Sequence, residues 1–329
     1  MQYLIDNFFS LTITGITLGA VYALVALGYT LVYGVLRLIN FAHSEVFMYG
    51  TFAAMWSVMF LGGHAGAGVP SVIGWILVMF IVAMATSGVI AVGLERFAYR
   101  PLRKRNAPPL ISLISAIGAS FVLSELMGLR DKLAAVVGLE RTLNAYVGQA
   151  RNNAGLPEIL EAKPVFAIVD YEVTNVDILV FLGAIAMMVL LDQFVSRSRL
   201  GRGIRAVAQD PEAAALMGVN RDRVIQVTFL VGGLMAGAAA VLYLLRIGIT
   251  RYDAGFLLGV KAFTAAVLGG IGNLRGALLG GFILGLAENY GSALIGTQWK
   301  DVVAFLLLVV ILLFRPTGLL GESLGRTRA

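Results

Sequence analysis

Cysteine is absent from the chain, so disulfides, thiolate metal sites and cysteine nucleophiles are excluded at once. Histidine is nearly absent as well: His43 and His64 are the two present, too few for a histidine-rich metal centre. Charge is scarce. Asp, Glu, Lys and Arg make up 13% of the 329 residues, while 59% are hydrophobic and the mean hydropathy is +0.86. Soluble domains carry about 25% charged residues. A soluble fold of this size could not cover so much apolar surface with so few charges, and the bilayer is the natural solvent for it.

Catalytic signatures are missing too. There is no GxSxG, no HExxH and no pair of aspartates in facing spans, which leaves an intramembrane hydrolase without support. The stretch Gly269-Gly270-Ile271-Gly272-Asn273-Leu274-Arg275-Gly276 invites a nucleotide-loop reading. Its spacing is wrong for GxGxxG, no Walker GKS or GKT occurs, and apolar spans flank it, so a break between two half-helices fits better. Residues Met1–Ser10 carry no Lys or Arg, and no small-residue cleavage site follows the first apolar run, so the first span is expected to be retained.

What is present is a series of apolar runs. A spanning helix needs roughly 20 apolar residues. Candidate spans are Leu11–Val35, Val46–Leu61, Val72–Leu94, Leu110–Leu126, Val176–Phe194, Val224–Leu245, Phe256–Ile271, Ala277–Leu294 and Val302–Phe314. The last three are short or broken by glycine. The expected fold class is all-α: a polytopic transmembrane helical bundle of eight to ten membrane segments, some broken or half-helices, in one transmembrane domain over residues 1–329.

The formal net charge of +6 does not point to nucleic acid, because the basic residues sit between apolar spans. That is the arrangement positive-inside orientation produces. Arg96, Arg100, Arg103, Lys104 and Arg105 crowd one short connection; Arg197, Arg199, Arg202, Arg205, Arg221 and Arg223 crowd another; Arg315, Arg326 and Arg328 mark the C-terminal tail. All three regions are expected in the cytoplasm, which makes 196–224 a cytoplasmic loop and the C-terminus cytoplasmic. Leu129–Asp177 holds five basic and seven acidic residues with Gly, Asn and Pro punctuation. It is expected as an external, periplasmic loop or lobe. The side of the N-terminus depends on whether Asn40–Glu45 is a cytoplasmic turn or lies at membrane depth, and the residues leave both open.

Four GxxxG spacings occur: Gly15–Gly19, Gly233–Gly237, Gly276–Gly280 and Gly281–Gly285. In lipid no hydrophobic force draws helices together, so close backbone approach through small residues is what holds them. With 39 glycines, chance is the competing explanation for any single one.

The loop between Ser196 and Val224 carries the strongest local signal. Asp210-Pro211-Glu212-Ala213-Ala214-Ala215-Leu216-Met217-Gly218 reads as a complete short helix. Asp210 can cap the first free N–H groups, Pro211 suits the first helical position and Glu212 complements the helix dipole. The alanines propagate the helix, and Gly218 can end it in the left-handed conformation. So short a helix is not stable alone and needs a partner surface. Leu216 and Met217 could dock in a groove of another protein; the alternative is an amphipathic helix resting on lipid beside Arg202 and Arg205.

Glu212-Ala213-Ala214, three residues and then Gly218 match the EAA-xxx-G pattern of permeases of ATP-binding-cassette importers. Three further stretches resemble the branched-chain amino acid permeases of that group, in particular the H type of their two paralogous membrane subunits. These are Gly19-Ala20-Val21-Tyr22-Ala23-Leu24 continuing to Ile39-Asn40-Phe41-Ala42-His43-Ser44-Glu45, then Glu95-Arg96-Phe97-Ala98-Tyr99-Arg100-Pro101-Leu102-Arg103, then Lys261-Ala262-Phe263-Thr264 through Gly272. Arg315-Pro316-Thr317-Gly318-Leu319 adds to them. The likeness covers nearly the whole chain apart from Leu129–Asp177. Where Ser44 stands the family usually has glycine, which removes a residue permitting unusual backbone.

The resemblance implies a non-catalytic subunit of the bacterial inner membrane, translocating branched-chain or other neutral amino acids. It implies coupling through Asp210, Pro211, Glu212, Ala213, Ala214, Leu216, Met217 and Gly218 to two cytoplasmic ATPase subunits, which use ATP and Mg; this chain binds no cofactor itself. A paralogous permease forming a heterodimer and a periplasmic substrate-binding protein complete the implied assembly. Importers of urea and short-chain amides use very similar permeases and remain an alternative for substrate. An ion-coupled secondary transporter is the alternative of another class, which scarce intramembrane carboxylates disfavour; a structural or receptor membrane protein is a third.

Ionisable groups at membrane depth are costly and usually line a cavity or pair with one another. Asn40, His43, Ser44 and Glu45 form a polar break beside two spans and are candidates for the translocation path; a cytoplasmic turn is the other reading, and His43 alone fits a packing role. Lys261 and Thr264 are expected to face inward from the half-helix before Gly269. Glu288, with Asn289 beside it, fits either the path or helix–helix hydrogen bonding, as does Glu125.

Overall fold

The structure is a computed structural model and describes residues 2–169 and 171–321. Arg326 and Arg328, expected in the cytoplasm, lie outside the described residues. In chain order the elements are α1 Gln2–Asp6, α2 Phe8–Leu36, α3 His43–Phe60, α4 Val69–Leu94, α5 Arg100–Lys104, α6 Pro109–Gly128, α7 Arg130–Val136 and α8 Glu140–Val147. Then follow β1 Ala154–Gly155, β2 Pro164–Ile168, β3 Tyr171–Thr174, α9 Asn175–Arg197, α10 Arg199–Gln209 and α11 Pro211–Leu216. The chain continues with α12 Arg221–Ile247, β4 Ile249–Thr250, α13 Ala254–Gly269, α14 Leu274–Ile295 and α15 Lys300–Phe314. α4 winds through one wider π turn, Glu95–Tyr99, directly into α5.

This is an all-α membrane bundle. Seven helical stretches are long and apolar enough to cross a bilayer: Phe8–Leu36, Val69–Lys104, Pro109–Gly128, Asn175–Arg197, Arg221–Ile247, Leu274–Ile295 and Thr297–Phe314. Each of the nine expected spans corresponds to a helix. The two outside the seven are α3, whose first turn is His43-Ser44-Glu45, and α13, which has only 16 residues. Local signals set the ends. Arg37 closes α2 in the left-handed region, φ 53°, with its N–H on Tyr33 O at 2.7 Å. Thr174 and Asp177 cap each other reciprocally at the start of α9. Prolines occupy the first turns of α4 and α6, where no N–H is required.

The chain divides into two compact units, Met1–Arg37 with Ala162–Thr228 and Val260–Ala329, and Leu38–Glu161 with Phe229–Gly259. The segment expected as one external lobe is thereby shared: 129–161 belongs to the second unit and 162–177 to the first.

In the first unit α2 packs along α14. Gly19 has no room for a side chain, since a Cβ there would stand 2.8 Å from Gly281 O; a Cβ on Gly281 would meet Ala23 at 2.6 Å. The backbones therefore touch, and α2 is buried almost continuously from Thr17 to Val32. Gly276 and Gly280 of α14 press in the same way on Gly269 and Ala265 of α13. α15 by contrast exposes Val302, Leu306, Val309, Val310, Leu313 and Phe314, an apolar face suited to lipid.

In the second unit α3 packs against α4. Gly233 and Gly237 of α12 lie on α4: a Cβ on Gly237 would sit 2.6 Å from Ala83 O, and one on Gly233 2.7 Å from Ser87 O. The core is filled by Met48, Phe52, Met55, Val58, Met79, Val241 and Leu244, all nearly inaccessible. β1 and β4 pair antiparallel beside it.

Candidate functional sites

The segment from α10 to α11 is built by its caps. Ser198 Oγ accepts from Gly201 N at 2.8 Å to start α10, and Asp210 Oδ1 accepts from Glu212 N at 2.9 Å and Ala213 N at 3.0 Å to start α11. Pro211 stands in the first helical turn with Glu212 behind it. At the far end Met217 N–H reaches Ala213 O, Gly218 N–H reaches Ala215 O and Val219 N–H reaches Ala214 O, each between 3.0 and 3.1 Å. Gly218 makes this closure possible at φ 84°. Ala214 is buried and holds the helix to its own chain; Leu216 and Met217 are 89% and 84% exposed. Two large apolar side chains projecting from a six-residue helix are what a groove in another molecule would receive.

α10 itself was not legible as a helix in the sequence, where its arginines read as loop. Gly201, Ile204 and Val207, spaced by three, are its buried face. It packs on α2, α9 and α11, and Arg205 Nη1 donates to Val195 O at the end of α9. α11 is thus in direct contact with α10, and α10 with two membrane helices.

The polar break at the start of α3 is enclosed. Asn40, His43, Ser44 and Glu45 are each no more than 3% exposed. Tyr99 Oη donates to Asn40 Oδ1 at 2.9 Å, Ser44 Oγ to Phe41 O at 2.7 Å, and Ser120 Oγ to Glu45 Oε1 at 3.1 Å. Gly255, near the start of α13, permits the closest approach: a Cβ there would stand 2.7 Å from Glu45 Oε2 and 2.6 Å from Ser44 O. Tyr99 and Ser120 are distant in sequence from the break, and only the fold reveals them as its partners.

In the first unit, Lys261 of α13 joins two carboxylates. Its Nζ lies 2.5 Å from Glu288 Oε1 of α14 and 2.6 Å from Asp301 Oδ1 of α15. Glu288 is fully buried and Asp301 half-exposed, so one ammonium ties three helices together. Asp301 was missed because it stands at a span end, where an acid reads as an ordinary helix-start residue. Thr264, also fully buried, returns its hydroxyl to Val260 O at 2.9 Å within its own helix. Asn289 Nδ2 donates to Leu11 O of α2 at 3.3 Å. The seven candidate path residues therefore form two groups, Asn40–Glu45 in one unit and Lys261, Thr264 and Glu288 in the other. No group of His, Cys, Asp and Glu able to hold a metal occurs among the described residues.

The chain is similar to known membrane permeases over most of its length. The family model described as branched-chain amino acid transport system / permease component matches residues 11–312. The high-affinity branched-chain amino acid transport system permease protein BraD of Pseudomonas aeruginosa is 41% identical over 313 residues, 94% of each chain. LivH of Escherichia coli, with the same description, is 41% identical over 312 residues, again 94% of each. A probable branched-chain amino acid transport permease of Methanocaldococcus jannaschii is 25% identical over 91% of this chain and 88% of its own. No solved structure matches. With one family description spanning nearly all of a polytopic helical chain, this protein belongs to the permease components of branched-chain amino acid transport systems.

Proposed function

We propose that this chain is the inner-membrane permease subunit of an ATP-binding-cassette importer, moving branched-chain or similar neutral amino acids into the cell. Two cytoplasmic ATPase subunits supply ATP hydrolysis, a periplasmic binding protein delivers the substrate, and a paralogous permease completes the membrane channel. The C-terminus and the α10–α11 segment lie in the cytoplasm in this reading. The observation that carries it is the capped helix α11, anchored by Ala214 and offering Leu216 and Met217 outward. ATPase closure would push this helix, and α10 would pass the push to α2 and α9. Asn40, His43, Ser44, Glu45, Lys261, Thr264 and Glu288 belong to the elements that rearrange as the path opens and closes, with the Lys261–Glu288 pair keeping charge neutralised at membrane depth.

Ala214 is a poor probe of docking because it is buried against the chain itself. Leu216→Asp and Met217→Asp leave that anchor and both caps in place. In membranes containing the assembled transporter, each is expected to lower ATP-dependent leucine uptake at least about tenfold and to weaken capture of the ATPase subunits, with permease abundance unchanged; desolvated apolar anchors at an interface centre cost about 2 kcal/mol or more each. Uptake and ATPase capture at wild-type levels in both variants would overturn the docking role. Cross-linking of position 216 to lipid and not to an ATPase would favour a surface-lying helix instead.

A further inference from the structure

The second unit contains a cavity of about 370 Å³ lined by Met55 and Met59 of α3, Arg130 of α7, Asn144 of α8 and the following Gln149 and Asn152. That volume lies in the range of small-molecule sites. Arg130 is the unusual member. It is 8% exposed, its Nη1 donates to Met127 O at 3.1 Å and Ala150 O at 2.6 Å, and its guanidinium carbon rests 4.8 Å from the centroid of the Phe52 ring. Its Nε has no hydrogen-bond partner among the described residues. The adjacent acid, Asp131, accepts instead from Lys132 N at 2.7 Å. Among the described residues two carbonyls and a ring orient this cation, and no carboxylate is hydrogen-bonded to it. Burying a guanidinium that way is costly unless an anion arrives, and with Nη1 held by two carbonyls and Nε inaccessible, the cation is placed to attract a carboxylate from the cavity by charge and a single donated hydrogen bond.

The rest of the wall has complementary chemistry. Asn144, Gln149 and Asn152 supply amide oxygens that can accept from an ammonium group, and the Asn152 amide donates to Gln149 Oε1 at 2.6 Å, fixing that pair's orientation. Met55 and Met59 give an apolar, adaptable surface on the other side. Anion edge, ammonium acceptors and apolar wall together are the three recognition elements of a zwitterionic amino acid with an aliphatic side chain. We propose that this cavity is a binding site for the free amino acid, with its α-carboxylate on Arg130, its ammonium on the amide oxygens and its side chain against Met55 and Met59. The assignment takes its substrate class from the permease reading, and in that reading 129–161 is external, so the site is one the substrate occupies on its way in.

The test uses the full-length permease in lipid nanodiscs, without ATPases, and reads saturable binding of radiolabelled leucine. Leucine should bind; unlabelled valine should compete, while leucinamide, which lacks the carboxylate, should compete at least about tenfold less well, as loss of a charge-assisted contact implies. Arg130→Gln should weaken leucine binding by a similar factor. Because that variant also disturbs two backbone contacts, Met59→Trp is the companion: it fills the cavity, leaves the guanidinium contacts alone and should abolish binding while the protein stays monodisperse. Leucine binding unchanged in Met59→Trp, equal competition by leucinamide, or no saturable binding by monodisperse wild-type protein would each overturn the proposal. Loss of binding-protein association in Arg130→Gln with leucine binding intact would overturn it in favour of protein docking. ATPase-dependent uptake by the wild-type assembly is scored separately, so the cavity assignment can fail while the permease reading stands.

Discussion

The seam between α2 and α14 and the segment α10–α11 are held by opposite means. At the centre of the seam the joining is done by glycine: Gly15 and Gly19 meet Gly281 and Gly285 backbone to backbone. In α10–α11 both helix starts are made by cap hydrogen bonds, Gly201 N–H to Ser198 Oγ, and Glu212 and Ala213 N–H to Asp210 Oδ1. The difference follows from the solvent. Lipid tails are as apolar as the helices, so contact distance and dispersion decide stability there. Beside water, a six-residue helix lives or dies by its end groups, and its outer side chains are left for a partner. Sensitivity to substitution should therefore track volume in the seam and hydrogen bonding in the segment.

The largest effect is expected where the membrane region breaks its own rule and uses charge. Lys261→Ala leaves Glu288 fully buried with no cation, a loss of about 3–5 kcal/mol by comparison with other broken buried pairs. The double variant Lys261→Met with Glu288→Gln should recover most of it. Denaturant unfolding in nanodiscs of wild type, both single variants and the double gives the coupling; a Lys261→Ala midpoint equal to wild type would show that the tie contributes nothing to stability.

Volume in the seam comes next. Gly281→Ala places a methyl 2.6 Å from Ala23 and should cost about 1–3 kcal/mol, because helix backbones must separate to admit it. Gly118→Ala in α6 is the matched control, since nothing lies within 4 Å of its Cβ position. It should be neutral or slightly stabilising through helix propensity alone. Equal destabilisation of both would mean that the seam is not distance-limited, and the contrast with α10–α11 would lose its basis.

These contrasts were only partly visible in the sequence. Apolar runs of sufficient length locate the helices to within a few residues, since a membrane span is dictated by composition over a long window. The ends of α11 were equally legible, because Asp210, Pro211 and Gly218 each have a local physical role that needs no tertiary context. The face α11 turns inward was not: Ala213, Ala214 and Ala215 are alike as residues, and only packing distinguishes the buried Ala214. α10 stayed hidden because arginines dominate its composition while small and branched residues carry its buried stripe. Asp301, Tyr99 and Ser120 were missed because their partners lie on distant segments of the chain, and the Arg130 cavity because residues 129–161 show no periodicity that would bring Met55 and Arg130 together.

The smallest effect tests the other side of the comparison. Asp210→Ala removes the oxygen that two N–H groups share, and cap losses of this kind cost about 1 kcal/mol. In a helix anchored chiefly by one alanine, that is enough to multiply local opening several-fold without unfolding the bundle. Hydrogen exchange should quicken at the amides of Glu212, Ala213 and Ala214, with α2 and α14 protected as before. Asp210→Asn keeps an accepting oxygen and should restore most of the protection, separating the cap from the charge. Uptake should fall less in Asp210→Ala than in Leu216→Asp, since a frayed handle still carries its apolar anchors. Unchanged exchange at those amides in Asp210→Ala would mean that docking against the chain, and not the cap, fixes this helix, and that lipid-side and water-side elements of this protein obey the same packing rule after all.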